Sequence, residues 1–207
     1  MILQHPFEAL STSVDGDCLA VLAGADHDFS VSRIVPLLRR KRSITGARNA
    51  LDRLADQGVV NVRSVGNVKS YSLNRSHLLA PAIIQIATAR SRLIDRLGEE
   101  LQKWQPQPIY GALFGSAARE DMRAESDIDV LLIQPDSVDL DLWSGAVNRL
   151  QTLVTSWTGN DTRVLQFAES EIAEHRIDDP VLREIAREGI ALIGPTSWLR
   201  RRTTGTR

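Results

Sequence analysis

The sequence predicts two folded parts of different class, a mainly α N-terminal part and a C-terminal α/β (α+β) part around a small mixed sheet. Apolar residues recur at helical spacing through the first third of the chain. The segment "QPQP" at residues 105–108 then interrupts the helical pattern. Beyond it, short apolar runs alternate with helical patterns, as strands and helices do around a mixed sheet.

The composition is that of a folded globular protein, with 43% hydrophobic and 25% charged residues among 207. No apolar run approaches the roughly 18 residues that suggest a membrane span. The first residues lack the charged and apolar regions of a signal peptide. Cys18 is the single cysteine, so no internal disulfide can form. We therefore expect a cytoplasmic protein that does not contact a membrane.

Charge is distributed unevenly along the chain. Residues 30–75 hold ten Lys or Arg against two acids, which gives +8, whereas residues 119–188 hold seven Arg against sixteen acids, which gives −9. This asymmetry suggests two domains with different partners. The predicted divisions are an N-terminal domain at 1–76, a long linker helix at 77–105, a C-terminal domain at 106–195 and a basic tail at 196–207.

The N-terminal domain carries a basic helix followed by a hairpin pattern. Apolar and polar residues alternate in "VVNVRSVGNVKSYSLN", which predicts a β-hairpin around "SVGN". The stretch "ITGARNALDRLADQGVVNVRSVGNVKSYSL" resembles the recognition helix and wing of a bacterial winged helix-turn-helix domain. This resemblance implies DNA binding, because Arg and Lys neutralise phosphates while Asn and Arg read base edges. The residues that it assigns to DNA are Thr45, Arg48, Asn49, Arg53, Arg63 and Lys69. A protein-interaction or dimerisation role stays open.

The segment from His77 to Trp104 reads as one long helix with apolar faces. Its apolar surface is suited to joining the two domains or to pairing with a second copy in a homodimer.

In the stretch "GALFGSAAREDMRAESDIDVLLI", residues 111–133, ten residues separate the pair Gly115 and Ser116 from Asp127, which Asp129 follows two positions later. Residues two apart on a strand point to the same side, so the two aspartates are expected to project together. Two adjacent carboxylates repel each other unless a cation neutralises them. The pattern therefore indicates a cation site beside a Gly-Ser turn.

This spacing resembles the signature of the DNA polymerase β-like nucleotidyltransferase superfamily, above all its minimal nucleotidyltransferases, over about residues 108–194. The resemblance implies transfer of NMP from a nucleoside triphosphate, expected to be ATP, to a protein, RNA or small-molecule acceptor. Asp127 and Asp129 would hold Mg²⁺ or Mn²⁺. Gly115 would let the backbone approach the triphosphate, and Ser116 would bind its oxygens. Arg119 is expected to bind the same triphosphate or to form a surface salt bridge.

Active members of this superfamily usually carry a third acid on the next strand, here within "RVLQF", where Gln166 takes the matching position. Glutamine can coordinate a metal through its carbonyl oxygen but cannot accept a proton as a carboxylate can. A shifted register would offer Asp161, Glu169 or Glu171 instead. Three interpretations stay open: an enzyme with an altered site, a degenerate nucleotide sensor, and a transcription regulator whose C-terminal domain only dimerises or binds a partner.

Overall fold

The computed structural model describes residues 1–38, 40–66, 68–174 and 179–203. The chain divides into two compact units, an N-terminal unit that spans Gln4–Arg90 and a C-terminal unit that begins at Ser91. Each unit combines helices with a small sheet, and the α/β character predicted for the C-terminal part is confirmed. Among the residues that the structure describes, no helix is both long enough and apolar enough to cross a membrane.

Helices form most of the N-terminal unit. They are α1 (Val14–Ala23), α2 (Val31–Ile34), α3 (Ile44–Asp56) and α4 (Ala80–Ala87), with 3₁₀ turns at Pro6–Ala9 and Val35–Leu37. α3 begins where the Ser43 hydroxyl accepts a hydrogen bond from the Gly46 N–H at 3.0 Å. Ala47, Ala50 and Leu51 are buried, because their helical spacing places them on one side of α3.

Three short strands complete this unit. β1 (Phe29–Ser30), β2 (Val60–Val65) and β3 (Val68–Leu73) form an antiparallel sheet in the order β1-β3-β2. The predicted hairpin is confirmed as β2 and β3, with Val65 opposite Val68 and Gly66 at a φ of +60° in the turn. Tyr71 of β3 is fully buried, and its hydroxyl donates to the Asp52 carboxylate at 3.0 Å. This bond joins the hairpin to α3.

The prediction of one continuous helix over residues 77–105 is wrong. The structure has two helices, α4 and α5 (Ala89–Gln102), separated at Thr88, whose φ of −95° and ψ of 15° lie outside the helical range. The Thr88 hydroxyl donates to the Ile84 carbonyl at 2.8 Å, and such bonding to the preceding turn bends helices. α4 falls in the N-terminal unit and nearly all of α5 in the C-terminal unit.

A four-stranded mixed sheet lies at the centre of the C-terminal unit. Its strands are β4 (Tyr110–Phe114), β5 (Ile128–Gln134), β6 (Thr162–Ala168) and β7 (Ile190–Ile193), in the order β6-β5-β4-β7. β4 is antiparallel to both β5 and β7, whereas β5 and β6 are parallel. Besides α5, the helices are α6 (Gly115–Arg119), α7 (Leu140–Thr158), α8 (Glu169–Glu174), α9 (Pro180–Glu188) and α10 (Ser197–Thr203).

Different helices cover the two faces of this sheet. Leu131 and Ile133 of β5 pack on one face in a core that includes Leu182 and Ile185 of α9. α7 covers the other face, where the buried Trp143 donates a hydrogen bond to a side chain of β6. Because side chains alternate along a strand, the odd-numbered residues of β5 and β6 share the α9 face.

The first part of the predicted basic tail at 196–207 is folded, because Ser197–Thr203 form α10. Trp198 and Leu199 are buried, and the Trp198 ring stacks on Tyr110 with centroids 5.6 Å apart. Arg200 Nε donates to the Ala186 carbonyl at 2.8 Å, which holds α10 against α9. Two large apolar side chains therefore outweigh the basic character of this segment. Residues 204–207 lie outside the described residues.

Candidate functional site

The Gly-Ser turn connects β4 directly to α6. Gly115 has a φ of +66°, in the left-handed region that favours glycine. A Cβ at this position would lie 2.6 Å from Asp129 Oδ2, closer than side-chain carbons approach oxygen. The register explains this proximity, because Phe114 of β4 pairs with Asp129 of β5. The structure thus brings the Gly-Ser turn and the second aspartate together.

The two aspartates lie at the start of β5. Asp127 directly precedes the strand, Asp129 is its second residue, and the fully buried Ile128 separates them. Both aspartates are half-buried. The Ile128 N–H donates to the Asp161 carbonyl at 2.8 Å, and Asn160 Nδ2 donates to the Ser126 carbonyl at 2.8 Å. These bonds hold the start of the strand, so the carboxylates are presented from a rigid element.

The surroundings of Asp129 disfavour the ionised form of its carboxyl group. Burial is the main cause that raises the pKa of its carboxyl group, and the negative charge of Asp127 raises that pKa further. The guanidinium groups of Arg163 and Arg119 act in the opposite direction. The carboxyl group therefore sits where its ionised form is disfavoured, and a bound cation would stabilise that form.

Arg163 is the residue that the sequence interpretation missed. It pairs with Asp129 across the parallel β5–β6 ladder, and its guanidinium lies 2.9 Å from Asp127 Oδ2. Its side chain is 69% exposed, whereas that of Asp127 is 24% exposed. Residues paired across a ladder share a face, so Arg163 stands where a carboxylate on β6 would complete a group of three. The alternation in "TRVLQF" indicates that Arg163 and Gln166 face opposite sides of the sheet. The register between β5 and β6 is needed to decide which of them faces the aspartates.

The assignment of Gln166 to the third-acid position is wrong. Gln166 pairs with Leu132, three residues along the ladder from the Asp129–Arg163 pair, and therefore faces the opposite side of the sheet. Its Oε1 accepts a hydrogen bond from Trp143 Nε1 at 2.8 Å. Gln166 consequently anchors α7, on the face away from the aspartates.

The alternative acids do not complete the group either. Glu169 and Glu171 follow the C-terminal end of β6, six and eight residues beyond Arg163, roughly 20 Å or more along an extended strand. Asp161 lies at the correct end of β6, but its Oδ1 accepts the Thr162 N–H at 3.0 Å. Across the described ranges, no three His, Cys, Asp or Glu side chains are grouped to hold a metal ion.

Arg119 ends α6 among acidic side chains. Its guanidinium lies 2.7 Å from Glu184 Oε1, 3.3 Å from Asp121 Oδ2 and 3.7 Å from Glu188 Oε2. These contacts agree with the surface salt bridge that the sequence left open for this residue. Ser116, by contrast, is half-buried in the first turn of α6, next to Gly115.

In the N-terminal unit, Thr45, Arg48 and Asn49 share the exposed side of α3. The spacing of three and four residues places these side chains together, opposite the buried Ala47 and Ala50. They are half of the six residues that the sequence assigned to DNA, and the structure groups them on one surface.

The other three assigned residues are engaged in ion pairs. Arg53 lies 2.9 Å from Asp15, Arg63 3.6 Å from Asp28, and Lys69 3.2 Å from Asp52. Arg42 and Arg40 contact further acids of this unit, Asp17 and Glu8. Residues 1–76 hold ten Lys or Arg against seven acids, which gives +3. The +8 of residues 30–75 is therefore largely offset by acids that precede that segment.

One family model matches the part of the chain that contains the candidate site. Residues 94–188 match the family model of the nucleotidyltransferase domain. This range contains Gly115, Ser116, Asp127, Asp129 and Arg163. No curated protein matches the chain.

Two solved structures are similar to about half of the chain. One is described as a crystal structure of a toxin–antitoxin with AMP-PNP, with 17% identity and a TM-score of 0.40. The other is a mutant of the toxin–antitoxin MntA-HpeT, with 15% identity and a TM-score of 0.39. Each alignment covers 53% of this chain and 80% of the other.

Proposed function

We propose that the C-terminal unit binds a nucleoside triphosphate with one divalent ion, Mg²⁺ or Mn²⁺, and transfers the nucleotidyl group to an acceptor. The observation that carries this proposal is the close approach of Gly115 to Asp129, which sets a backbone turn beside two carboxylates. The nucleotidyltransferase match over residues 94–188 supports it. We expect ATP as the donor and a protein, an RNA or a small molecule as the acceptor.

The carboxylates fit a single divalent ion. Mg²⁺ commonly binds through one or two protein carboxylates and completes its shell with substrate phosphates and water. Asp127 and Asp129 supply such a pair, and the pKa of Asp129 is raised, first by burial and then by the negative charge of Asp127, so a bound cation would favour its ionised form. When bound, the ion offsets the charge that develops on the phosphate oxygens during transfer.

Each residue of the turn has a distinct part in binding. Gly115 has no Cβ, so a phosphate can approach the main chain closely. The Ser116 hydroxyl can donate a hydrogen bond to a phosphate oxygen, and such charge-assisted bonds are strong. Arg119 has no assigned part, because carboxylates of Asp121 and Glu184 already engage it.

Calorimetric titration of the full chain with ATP, GTP, CTP and UTP, with and without Mg²⁺, tests the binding step. We expect Mg²⁺-dependent binding of one nucleotide that the double variant Asp127→Asn/Asp129→Asn loses. The matched control is Glu99→Gln/Asp141→Asn, which removes two exposed acids outside the site. Equal binding by the two double variants would reject the site. Transfer itself is measured as pyrophosphate release in the presence of candidate acceptors.

A second function, nucleotide sensing without transfer, is favoured by one observation. Arg163 stands at the β6 position beside Asp129, and an arginine cannot accept a proton from an acceptor hydroxyl. Turnover separates the two functions, since a sensor binds the nucleotide but releases no pyrophosphate with any acceptor.

For the N-terminal unit, we propose a winged helix that binds DNA through α3. The order of its helices, followed by the β2–β3 hairpin, supports this fold. Thr45, Arg48 and Asn49 form the surface that would enter the major groove. A homodimer would present two such helices to one DNA, and sedimentation at micromolar concentration would measure its formation.

The ion pairs within this unit predict that the proposed DNA-contacting residues contribute unequally to binding. Arg48→Ala should weaken a DNA mobility shift more than Arg53→Ala, because Arg53 must first leave Asp15 to reach a phosphate. The shift should also weaken as salt rises. No shift of the wild-type chain at low salt would reject DNA binding. Equal effects of the two variants would contradict the role given to the Arg53–Asp15 ion pair, and a shift that Arg48→Ala leaves unchanged would reject the exposed side of α3 as the reading surface.

A further inference from the structure

The β6 strand places a permanent positive charge inside the candidate nucleotide site. Arg163 is the second residue of β6, pairs with Asp129, and contacts Asp127 Oδ2 at 2.9 Å. Arginine stays protonated throughout the pH range in which proteins are folded. Asp127, Asp129 and Arg163 together therefore carry −1 when both acids are ionised, whereas a third acid at this position would give −3.

The ion pair between Arg163 and Asp127 can exchange its partners. The Arg163 side chain is 69% exposed, so its guanidinium is accessible to an incoming phosphate, whereas Asp127 is 24% exposed and needs another cation once the guanidinium leaves. A guanidinium binds phosphate oxygens with two parallel hydrogen bonds, a geometry that carboxylate and phosphate share. A divalent ion that arrives with a triphosphate would compete for the same Asp127 oxygen.

We propose that Arg163 binds the triphosphate and that its guanidinium takes the place of a second divalent ion in the site. In the free protein its guanidinium neutralises Asp127. In the complex the guanidinium would bind the phosphate oxygens, and Asp127 would then be one of the residues that hold the divalent ion. The site then needs one divalent ion, and it holds that ion tightly only together with the nucleotide. This inference rests on the proposed nucleotide binding and adds the residue that sets its dependence on metal.

The test uses two substitutions of Arg163 and one control in the full chain. Arg163→Gln removes the charge but keeps hydrogen-bonding groups, and Arg163→Asp supplies the third carboxylate. Arg149→Gln removes an exposed arginine of α7, on the opposite face of the sheet, and serves as the control. Two quantities are measured, triphosphate affinity with Mg²⁺ by calorimetry and Mn²⁺ affinity without nucleotide by electron paramagnetic resonance of free Mn²⁺.

The two measurements should move in opposite directions. Arg163→Gln should weaken triphosphate binding about tenfold, through the lost charge-assisted contact, and should tighten Mn²⁺ binding to the free protein several-fold. Arg163→Asp should tighten Mn²⁺ binding further, because it adds a carboxylate ligand. Arg149→Gln should change neither affinity.

Different results would overturn the inference about Arg163 and the proposed nucleotide binding on which it rests. If Arg163→Gln left triphosphate affinity equal to that of the control, or improved it, the inference would fail while nucleotide binding stood. If the wild-type chain bound no triphosphate at all, the proposed function would fail, and the inference with it. Mn²⁺ affinities that are the same in all variants would show that Arg163 does not compete with the metal, which also overturns the inference.

Discussion

Replacement of Gly115 by alanine tests the contact on which the candidate site is built. The added Cβ would lie 2.6 Å from Asp129 Oδ2 and 3.5 Å from its Cγ. Contacts this short do not persist, so the Asp129 carboxylate has to move. The residue also keeps a left-handed φ of +66°, which costs a side-chain-bearing residue about 1–2 kcal/mol. We expect the free energy of unfolding to fall by about that amount, and triphosphate affinity to be lost as the carboxylate is displaced.

Gly159→Ala separates the backbone strain from the displacement of Asp129. Gly159 follows α7 with a φ of +71°, and a Cβ there would meet no atom within 4 Å. This variant should therefore lose about the same 1–2 kcal/mol of stability as Gly115→Ala. It should bind the triphosphate like the wild-type chain, because the turn that it strains lies outside the site.

Tryptophan fluorescence during urea unfolding gives the stability of the relevant unit. The four tryptophans of the chain are Trp104, Trp143, Trp157 and Trp198, all of which lie in the C-terminal unit. Calorimetry of the same samples gives triphosphate affinity. Equal affinities of Gly115→Ala and Gly159→Ala would refute the reasoning, since the Gly115–Asp129 approach would then have no bearing on binding.

Three further substitutions test individual contacts. Gln166→Leu should lower the free energy of unfolding by about 1–3 kcal/mol, because the buried Trp143 indole N–H loses its acceptor. Triphosphate affinity should stay unchanged in this variant. Weaker triphosphate binding would show that Gln166 contributes to the nucleotide site. Asp129→Asn should make the unit more resistant to urea at pH 7, because the pKa of Asp129 is raised and its ionised form costs the fold stability. This gain should disappear as the pH falls through the Asp129 pKa to below about 3.9, the ordinary value of an unfolded aspartate, and lower stability than wild type at pH 7 would contradict it. Arg119→Gln should lower the free energy of unfolding by no more than about 1 kcal/mol, because the ion pairs of Arg119 are exposed. A weaker affinity of this variant for triphosphate would show that Arg119 binds the nucleotide.

Local patterns predicted the elements of the site. The alternation of Asp127 and Asp129 with apolar residues predicted a strand with two carboxylates on one side, and β5 begins between them. The sequence also predicted a turn at Gly115 and Ser116. Gly115 has a positive φ, a backbone conformation that favours glycine over residues with a Cβ. These features depend on residues close in sequence, so a single chain is enough to predict them.

The wrong assignment within the site concerned residues that pair across strands far apart in the sequence. The third-acid position depends on how β6 aligns with β5, and a shift of one residue exchanges the two faces of a strand. Gln166 was therefore assigned to the site although it faces α7, and Arg163 was overlooked. The net charge of residues 30–75 also depends on tertiary structure, because acids that pair with this segment, Asp15 and Asp28 among them, precede it in sequence.

The sequence by itself determined the division into two parts, the hairpin, the mixed sheet and the Gly-Ser turn followed by two aspartates, because each arises from local periodicity or from a short motif. Only the tertiary structure decided which side chain stands beside those aspartates, since strand register is set by the packing of a whole sheet between its helices. That packing placed a guanidinium, that of Arg163, next to Asp127, where the sequence had suggested a neutral amide.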